Sequence, residues 1–476
     1  MKGNRISSLL QRDNDPTLRE TMGAVLFLAW PAILEQLMFT AVQYVDTAMV
    51  GRLGANATAA VGTTSSSIWM FNGLFAAASI GFSVQVAQFL GAGRQKEARG
   101  VTAQSLRFVA LLGILCACVG VGLSFVLPDL LGAAPEVAPD AGWYFRIISM
   151  GMPFLLGTNM LSAILRCAGD AKSPMLLNSL INVLNVILNF FLIYPSRTVR
   201  LMGLEFQMIG AGLGVKGAAI ASSLATAVVF CLFLVVLFKK PGPVQIHSED
   251  STKLQPECLR TAVRFGLPVA MERGSMCAAQ ILITGMISGI GTIAMAANHL
   301  AVTAESVSYS PAYGVSAAAT ALVGQAVGAG RKKLAMRFAK ITVFMGIGLM
   351  AAGGVLLFVF ARPLIMLFST DEEVIALGMT VLRIVAFAEP FFGAAIVGSG
   401  ALRGAGDSRA PFLICLGTMW GVRITLVLLL TKHLGLVGVW LAMAVELTAR
   451  GVIFLMRLYS GRWLQMAAFG ESVTER

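Results

Sequence analysis

Leu165-Arg166-Cys167-Ala168-Gly169-Asp170-Ala171-Lys172-Ser173-Pro174 returns 237 positions later as Leu402-Arg403-Gly404-Ala405-Gly406-Asp407-Ser408-Arg409-Ala410-Pro411. Each copy leads into an apolar run, Pro174 to Tyr194 after the first and Phe412 to Leu430 after the second. Such runs match the ~20 residues a helix needs to cross a hydrocarbon core ~30 Å thick. Val101 to Leu127, Ile220 to Phe238 and Ile341 to Phe360 are of the same kind. In lipid only helices and closed barrels satisfy their own backbone hydrogen bonds, and the absence of period-two alternation excludes a porin-like barrel. The chain is therefore expected to be an all-α integral membrane protein made by tandem duplication.

The same register holds on both sides of that motif. Pro31 falls on Pro268, Glu35 on Glu272, Gln43 on Gln280, Thr47 on Thr284 and Gly54 on Gly291. Gln88-x-x-Gly91-Ala92-Gly93-Arg94 falls on Gln325-x-x-Gly328-Ala329-Gly330-Arg331, and Arg146 and Pro153 fall on Arg383 and Pro390. Beyond Pro174 the offset drops to 221, pairing Gly214 with Gly435 and Gly217 with Gly438, so the first copy carries 16 extra residues between its fifth and sixth helices. The expected spans are 21–51, 56–92, 101–128, 141–168, 174–195, 212–238, 259–289, 293–328, 338–361, 374–404, 411–432 and 436–459. They form a first six-helix bundle at 21–238 and a second at 259–460, flanked by an N-terminal segment at 1–20, a polar linker at 239–258 and a tail at 461–476. Six spans per copy make both bundles enter from the same side, related by an axis along the membrane normal, with a cavity expected between them.

Hydrophobic residues make up 57% of the chain and charged residues 13%, against roughly 45–50% and 25% in soluble domains. The net charge of +12 follows the positive-inside rule rather than nucleic-acid binding. With helix 1 entering from the cytoplasm, 26 of the 36 Lys and Arg fall in cytoplasmic segments or the cytoplasmic ends of spans, 8 in external segments or external ends, and Arg273 and Arg423 deep inside spans. Both termini are then cytoplasmic in a cell (inner) membrane. The polar first 20 residues and the length of Thr21 to Val50 read as a cytoplasmic segment and helix 1, not a signal peptide. The seven cysteines have no metal-ligand spacing and read as packing residues. The expected partners are a small-molecule substrate, a coupling cation and the lipid bilayer, with no cofactor, no nucleic acid and a monomeric chain.

A charge inside a span costs at least ~2.5–3.5 kcal/mol, so intramembrane acids default to functional candidates. There are six: Glu35, Asp46, Glu272, Glu305, Glu389 and Glu446. Glu35 and Asp46 lie about three turns apart on one face of helix 1, roughly 16 Å from each other. Both are candidates for ion coupling, and Glu35 has the alternative of pairing with a neighbouring donor. On helix 5, Asn178, Asn182, Asn185 and Asn189 form one stripe. Asn185 and Asn189 are candidate oxygen ligands for Na⁺, with interhelical hydrogen bonding as the alternative; the latter is the expectation for Asn178 and Asn182. On helix 8, Asn298, Glu305 and Tyr309 share a face, and with Glu272 they would offer an acidic and aromatic wall to an organic cation. The alternative for Glu272 is an ion pair with Arg273, although adjacent residues point ~100° apart on a helix. Glu389, next to Pro390, is expected to serve a local helix break, and Glu446 has no assigned role. The Gly-Ala-Gly-Arg segments follow no strand and are read as tight turns rather than phosphate loops, and Arg-x-Ala-Gly-Asp as a charged turn that fixes helix ends.

At Pro31 to Gly51 (PAILEQLMFTAVQYVDTAMVG), at GQAVGAGR from Gly324, and at the doubled LRxAGDxxxP, the chain resembles the multidrug and toxic compound extrusion (MATE) family of cation-coupled antiporters over nearly its whole length. The resemblance implies two six-helix bundles around a V-shaped cavity, and exchange of external Na⁺ or H⁺ for internal, often cationic, drugs. It implies an ion-coupling role for Asp46. Asn185 and Asn189 match a helix 5 Asn-x-x-x-Asp pair of one branch, but Asn189 stands where the acid would be, which puts a two-carboxylate proton site there in doubt. Glu272 resembles the helix 7 acid of another branch approximately, and Ala304-Glu305-Ser306-Val307-Ser308 fits a common helix 8 pattern.

The expected function is export of small organic, cationic compounds in exchange for Na⁺ or H⁺ by rocking alternating access. A flippase for a lipid-linked precursor is the alternative within transport. An intramembrane enzyme is disfavoured, because His247, His299 and His433 are scattered and form no catalytic constellation.

Overall fold

The computed structural model describes residues 9–10, 16–201, 204–247 and 255–465. Most of the expected N-terminal segment, the middle of the linker and most of the tail lie outside the described residues. The first bundle is α1 (Leu18–Gly51), α2 (Ala55–Gly91), α3 (Gln95–Leu123), α4 (Ala138–Cys167), α5 (Lys172–Leu192) and α6 (Gly214–Lys239). The second opens with α7 (Pro256–Ser288), α8 (Thr292–Gly328) and α9 (Lys332–Val359). Next comes α10, in two pieces, Glu372–Ala386 and Glu389–Gly404, bent by 57°. Pro390 lies in the first turn of the second piece, where its missing N–H and its ring weaken the helix at the break. Its repeat mate Pro153 sits inside α4 without breaking it.

By length and composition eight helices are apolar enough to cross a membrane, and the bent α10 pair adds a ninth. One of the eight is the continuous stretch Arg409–Tyr459, and it is two spans. At Gly435 the backbone leaves helical geometry (φ 55°, ψ −134°), and a Cβ on Gly438 would lie 2.6 Å from the Leu430 carbonyl oxygen. Residues eight apart in an unbroken helix are ~12 Å apart, so the chain has reversed. We call 409–434 α11, with a π-helical turn at Gly417–Ile424, and 436–459 α12. The more polar α7 and α8 pack along α2 and α1, which places them among the spans and brings the total to twelve. Large apolar side chains such as Leu111, Ile114, Phe344 and Val355 face outward from α3 and α9, as a lipid-facing surface requires.

The duplication is visible in the backbone. Gly54 and Gly291, Gly93 and Gly330, Gly169 and Gly406, and Gly214 and Gly435 all take positive φ in repeat-matched pairs. The halves differ in the loop between α5 and α6, where the extra residues of the first copy form an antiparallel hairpin, β1 (Pro195–Leu201) and β2 (Leu204–Ala211).

The bundles meet along a seam built by the same symmetry. At the ends of α2 and α8, a Cβ on Gly91 would lie 1.9 Å from the Gln325 carbonyl oxygen and one on Gly328 2.0 Å from that of Gln88. Gln88 Nε2 donates to the Gly404 carbonyl (3.2 Å) and Gln325 Nε2 to the Cys167 carbonyl (2.6 Å). Residues 81–89 of α2 and 321–327 of α8 are buried without interruption. Along α1 and α8 the seam continues through Thr40 Oγ1 and Ser310 Oγ (2.9 Å) and the Tyr44 hydroxyl, which donates to the Thr303 carbonyl (2.7 Å). On the other flank a cavity of about 730 Å³ opens between α1, α2 and α4 on one side and α7 on the other. The result is the arrangement of two bundles with a cavity between them expected from the repeat.

Candidate ion-coupling and substrate sites

The acids of α1 meet the amides of α5 in strict register. Glu35 and Asp46 are eleven residues apart, as are Asn178 and Asn189, and the two helices run parallel, so each acid finds the amide 143 residues later. Asn189 Nδ2 donates to Asp46 Oδ1 (2.7 Å) and Asn178 Nδ2 to Glu35 Oε1 (2.7 Å). Asn185 sits between Asp46, Asn189 and Ser222. In one orientation its Nδ2 donates to Ser222 Oγ (2.8 Å) while its Oδ1 accepts from Asn189 (2.9 Å). Turned over, its Nδ2 donates to Asp46 Oδ1 (2.6 Å) and its oxygen accepts from Ser222. Asn189 Oδ1 is buried without a hydrogen-bond partner. The structure thus brings together Asp46, Asn185 and Asn189, as the sequence suggested, and adds Ser222 of α6.

Glu35 belongs to a different group. Arg166, the arginine of the first Arg-x-Ala-Gly-Asp motif, donates from Nη1 to both its oxygens (2.8 and 3.0 Å). In the second half Arg403 does the same to Glu272, from Nη2 at 2.7 and 2.8 Å. The partner of Glu272 is therefore Arg403 and not Arg273. The doubled motif fixes helix ends through its aspartates, as expected: Ser173 N donates to Asp170 Oδ1 (3.1 Å) and Ala410 N to Asp407 Oδ1 (3.2 Å). Burial pushes the Asp170 carboxyl up, but hydrogen bonds from Lys240 and Ser173 outweigh it and hold it below the ordinary carboxylate range. Its arginines do more, clamping one acid in each bundle. The signal was present in the sequence, since Glu35 with Arg166 and Glu272 with Arg403 recur at one separation in both halves.

Glu272 and Arg403 are almost wholly buried, with side chains 6% and 9% exposed. Removing one member of a buried ion pair strands the other charge, at a cost of about 3–5 kcal/mol. Glu272→Gln is expected to lower the apparent Tm of the purified protein well below that of Glu35→Gln. In the latter pair the side chains are 12% and 19% exposed, and water screens what is left. Equal Tm values for the two variants would show that the second pair is not the stronger support.

The expected acidic and aromatic wall of the second bundle is only partly assembled. Glu305 and Glu389 are buried, Ser308 Oγ donates to Glu389 Oε2 (2.6 Å), and Tyr309 packs edge-on against Tyr313 and Phe392. Asn298 is turned away, its Oδ1 accepting from Trp440 Nε1 (3.0 Å). Glu446 pairs with Arg450 one turn along α12 (2.6 Å), and Arg423 of the π-helical turn lies within electrostatic reach of Glu446 and Glu305. Glu272, Glu305, Tyr309 and Asn298 do not line the 730 Å³ cavity; its charged lining residues are Arg166 and Arg273.

The sequence model of the MatE family matches residues 31–191 and 268–429, the two repeats. The chain is 27% identical over 473 residues to a probable multidrug resistance protein NorM of Thermotoga maritima, covering 98% of both chains. To a multidrug resistance protein MdtK of Edwardsiella ictaluri it is 24% identical, over 93% of this chain and 95% of the relative. It superposes with a TM-score of 0.86, at 22% identity, on the outward-facing conformation of a multidrug resistance MATE family transporter of the MOP superfamily, covering 97% of this chain and 99% of the other. A MOP superfamily transporter from Pyrococcus furiosus, described as having a binding pocket of reverse polarity, superposes at 0.87 with 22% identity over 98% and 99%. At these identities the structural likenesses establish the fold.

Proposed function

The chain belongs to the MatE family of membrane transporters, and we propose that it is a secondary antiporter exporting small organic compounds across the inner membrane in exchange for Na⁺ or H⁺. Relatives named as multidrug resistance proteins support the substrate size and chemistry. The basic surplus supports cytoplasmic termini. In that orientation the Gln88 and Gln325 seam lies on the cytoplasmic side, and α1 and α8 stay in contact further toward the outside through Tyr44 and Thr303.

The observation that carries coupling is the orphaned Asn189 Oδ1 beside Asp46. A buried acceptor without a partner is costly, and a carboxylate flanked by amide and hydroxyl oxygens is what a hard cation takes as ligands. Turning the Asn189 amide, or that of Asn185, exchanges an N–H donor for an oxygen at Asp46, so the site can be satisfied empty and again when filled. A single carboxylate suits one monovalent charge; among the described residues no group of three His, Cys, Asp or Glu side chains gathers as a multivalent metal site would need. Glu35, clamped by Arg166, is a helix-pairing group in this reading.

Cation recognition by Glu272 and Glu305 was the sequence-based expectation. With Glu272 held by Arg403 and neither acid on the cavity wall, the substrate proposed at this level is a small organic compound with no sign assigned to its charge. Efflux from proteoliposomes under separately imposed Na⁺ and H⁺ gradients tests the antiport reading. A gradient of one of these ions is expected to drive dye accumulation. No accumulation under either, from protein that is folded and inserted, defeats it.

A further inference from the structure

Of the two charged residues on the cavity wall, Arg166 is paired with Glu35, whereas Arg273 has Glu272 as its nearby counter-charge and must share it with Arg403. Both oxygens of its neighbour Glu272 are engaged by Arg403, so this group holds two guanidiniums and one carboxylate. Among the described residues Arg273 has no ion-pair partner, and its Nε is buried without a hydrogen bond. Its guanidinium stands 6.0 Å from the centre of the Tyr313 ring. Its stem rests on Gly73, where an added Cβ would lie 3.1 Å away. The residue is thus held at the crossing of α2 and α7, where the two bundles border the cavity.

The duplication shows that this charge is an addition. Glu272 and Arg403 answer to Glu35 and Arg166, and Cys415 stands where the first half has Asn178, but Arg273 falls on Gln36. One half therefore carries a cation that the other lacks, on the wall of the shared cavity. With one carboxylate shared by two guanidiniums, a positive charge in excess faces a low-dielectric wall and calls for a counter-charge, and no acid on that wall supplies one.

We propose that the cavity binds an organic anion, a compound with a carboxylate or sulfonate on an aromatic or apolar body, and that Arg273 recognises its charge. The planar guanidinium presents paired N–H donors that match the two oxygens of such a group. Phe39, Trp69 and Phe71 supply apolar wall for the body, and Asn72 and Asn159 supply amides at its edge. The inference rests on the antiporter reading and gives that reading a substrate class.

Two dyes of similar size and opposite charge test it: fluorescein, an aromatic carboxylate, and ethidium, a cation. Binding is read by fluorescence anisotropy and transport in proteoliposomes. The parent is expected to bind and move fluorescein. Arg273→Gln should lower both by about tenfold or more while leaving ethidium unchanged or improved, and Arg273→Lys should recover part of the loss. Gln43→Glu places a carboxylate on the same wall without touching the Arg403 pair; it should weaken fluorescein and favour ethidium even if Arg273→Gln does not fold. Ethidium transport without fluorescein binding overturns the anion proposal and leaves antiport standing. Fluorescein binding without gradient-driven movement of either dye keeps the site and overturns antiport. Equal losses for both dyes in Arg273→Gln and Gln43→Glu reduce Arg273 to packing and overturn its role.

Discussion

Asp46→Asn is expected to reduce gradient-driven efflux to background while the protein still inserts, folds and binds substrate. The substitution is nearly isosteric, and the amide from Asn189 that now reaches Asp46 Oδ1 at 2.7 Å can still donate to the carbonyl that replaces it. What disappears is the one formal charge of the α1–α5 site. A coupling cation held by carboxylate, amide and hydroxyl oxygens would lose its only charged ligand, and a proton would lose its only titratable acceptor, since amides neither ionise nor carry H⁺ near neutral pH. Both coupling ions thus lead to the same outcome. Downhill substrate movement is expected to persist, because the cavity wall does not include Asp46. The measurement is dye accumulation against its gradient, with expression and binding as controls; accumulation at the parental level would remove Asp46 from the coupling site.

The companion substitution Asn189→Asp separates Na⁺ from H⁺. It places two carboxylates at hydrogen-bond distance, where they can share a proton and where like-charge repulsion couples their titration. The pH profile of transport is expected to change shape, and Na⁺ dependence to change with it if both ions compete for the site. A profile that overlays the parent, together with a silent Asn189→Ala, would make α5 a structural element and move coupling elsewhere.

Much of this architecture could be read from the chain because a duplication repeats its constraints. The ungapped register from Pro31 to Pro174 on Pro268 to Pro411 gave the two bundles, their relative orientation and the tight turns, and the positive-φ glycines fall where the repeated Gly-Ala-Gly-Arg and Ala-Gly-Asp segments place them. Site residues were legible where the partners lie on neighbouring helices in register: Asp46 with Asn185 and Asn189 needs only two helical stripes to face each other. The partners of Glu272 and Asn298 were not legible in the same way. Arg403 and Trp440 stand singly on the second piece of α10 and on α12, with no stripe of like side chains to mark the face turned toward Glu272 or Asn298. Even so, the recurrence of Glu35 with Arg166 as Glu272 with Arg403 was a usable signal, and adjacency in sequence drew attention to Arg273 instead. The break in α10 could not be inferred from Pro390 alone, since Pro153 at the matching position leaves α4 intact. Packing around each helix decides whether a proline bends it or breaks it.

Gly328→Val is expected to move the conformational equilibrium furthest. Alternating access requires the seam at the ends of α2 and α8 to close in one state and part in the other, and the closed state seen here has no room for a side chain. A Cβ at position 328 would meet the Gln88 carbonyl oxygen at 2.0 Å and the Gln88 Cα at 2.6 Å. These are backbone atoms of a buried helix and cannot step aside as a flexible side chain would. Either the helices separate, which also breaks the bonds from Gln88 to Gly404 and from Gln325 to Cys167, or the closed state is lost. Both outcomes favour the conformation in which this end of the seam is open. Cys167 is 3% exposed in the closed form and reports the change directly, so its alkylation from the side bearing the termini should rise while transport falls. The pseudo-symmetry supplies a further check: Gly91 meets the Gln325 carbonyl in the same way, so Gly91→Val should give the same phenotype as Gly328→Val. If Gly328→Val left Cys167 protected and transport intact, the α2–α8 contact would not be a gate.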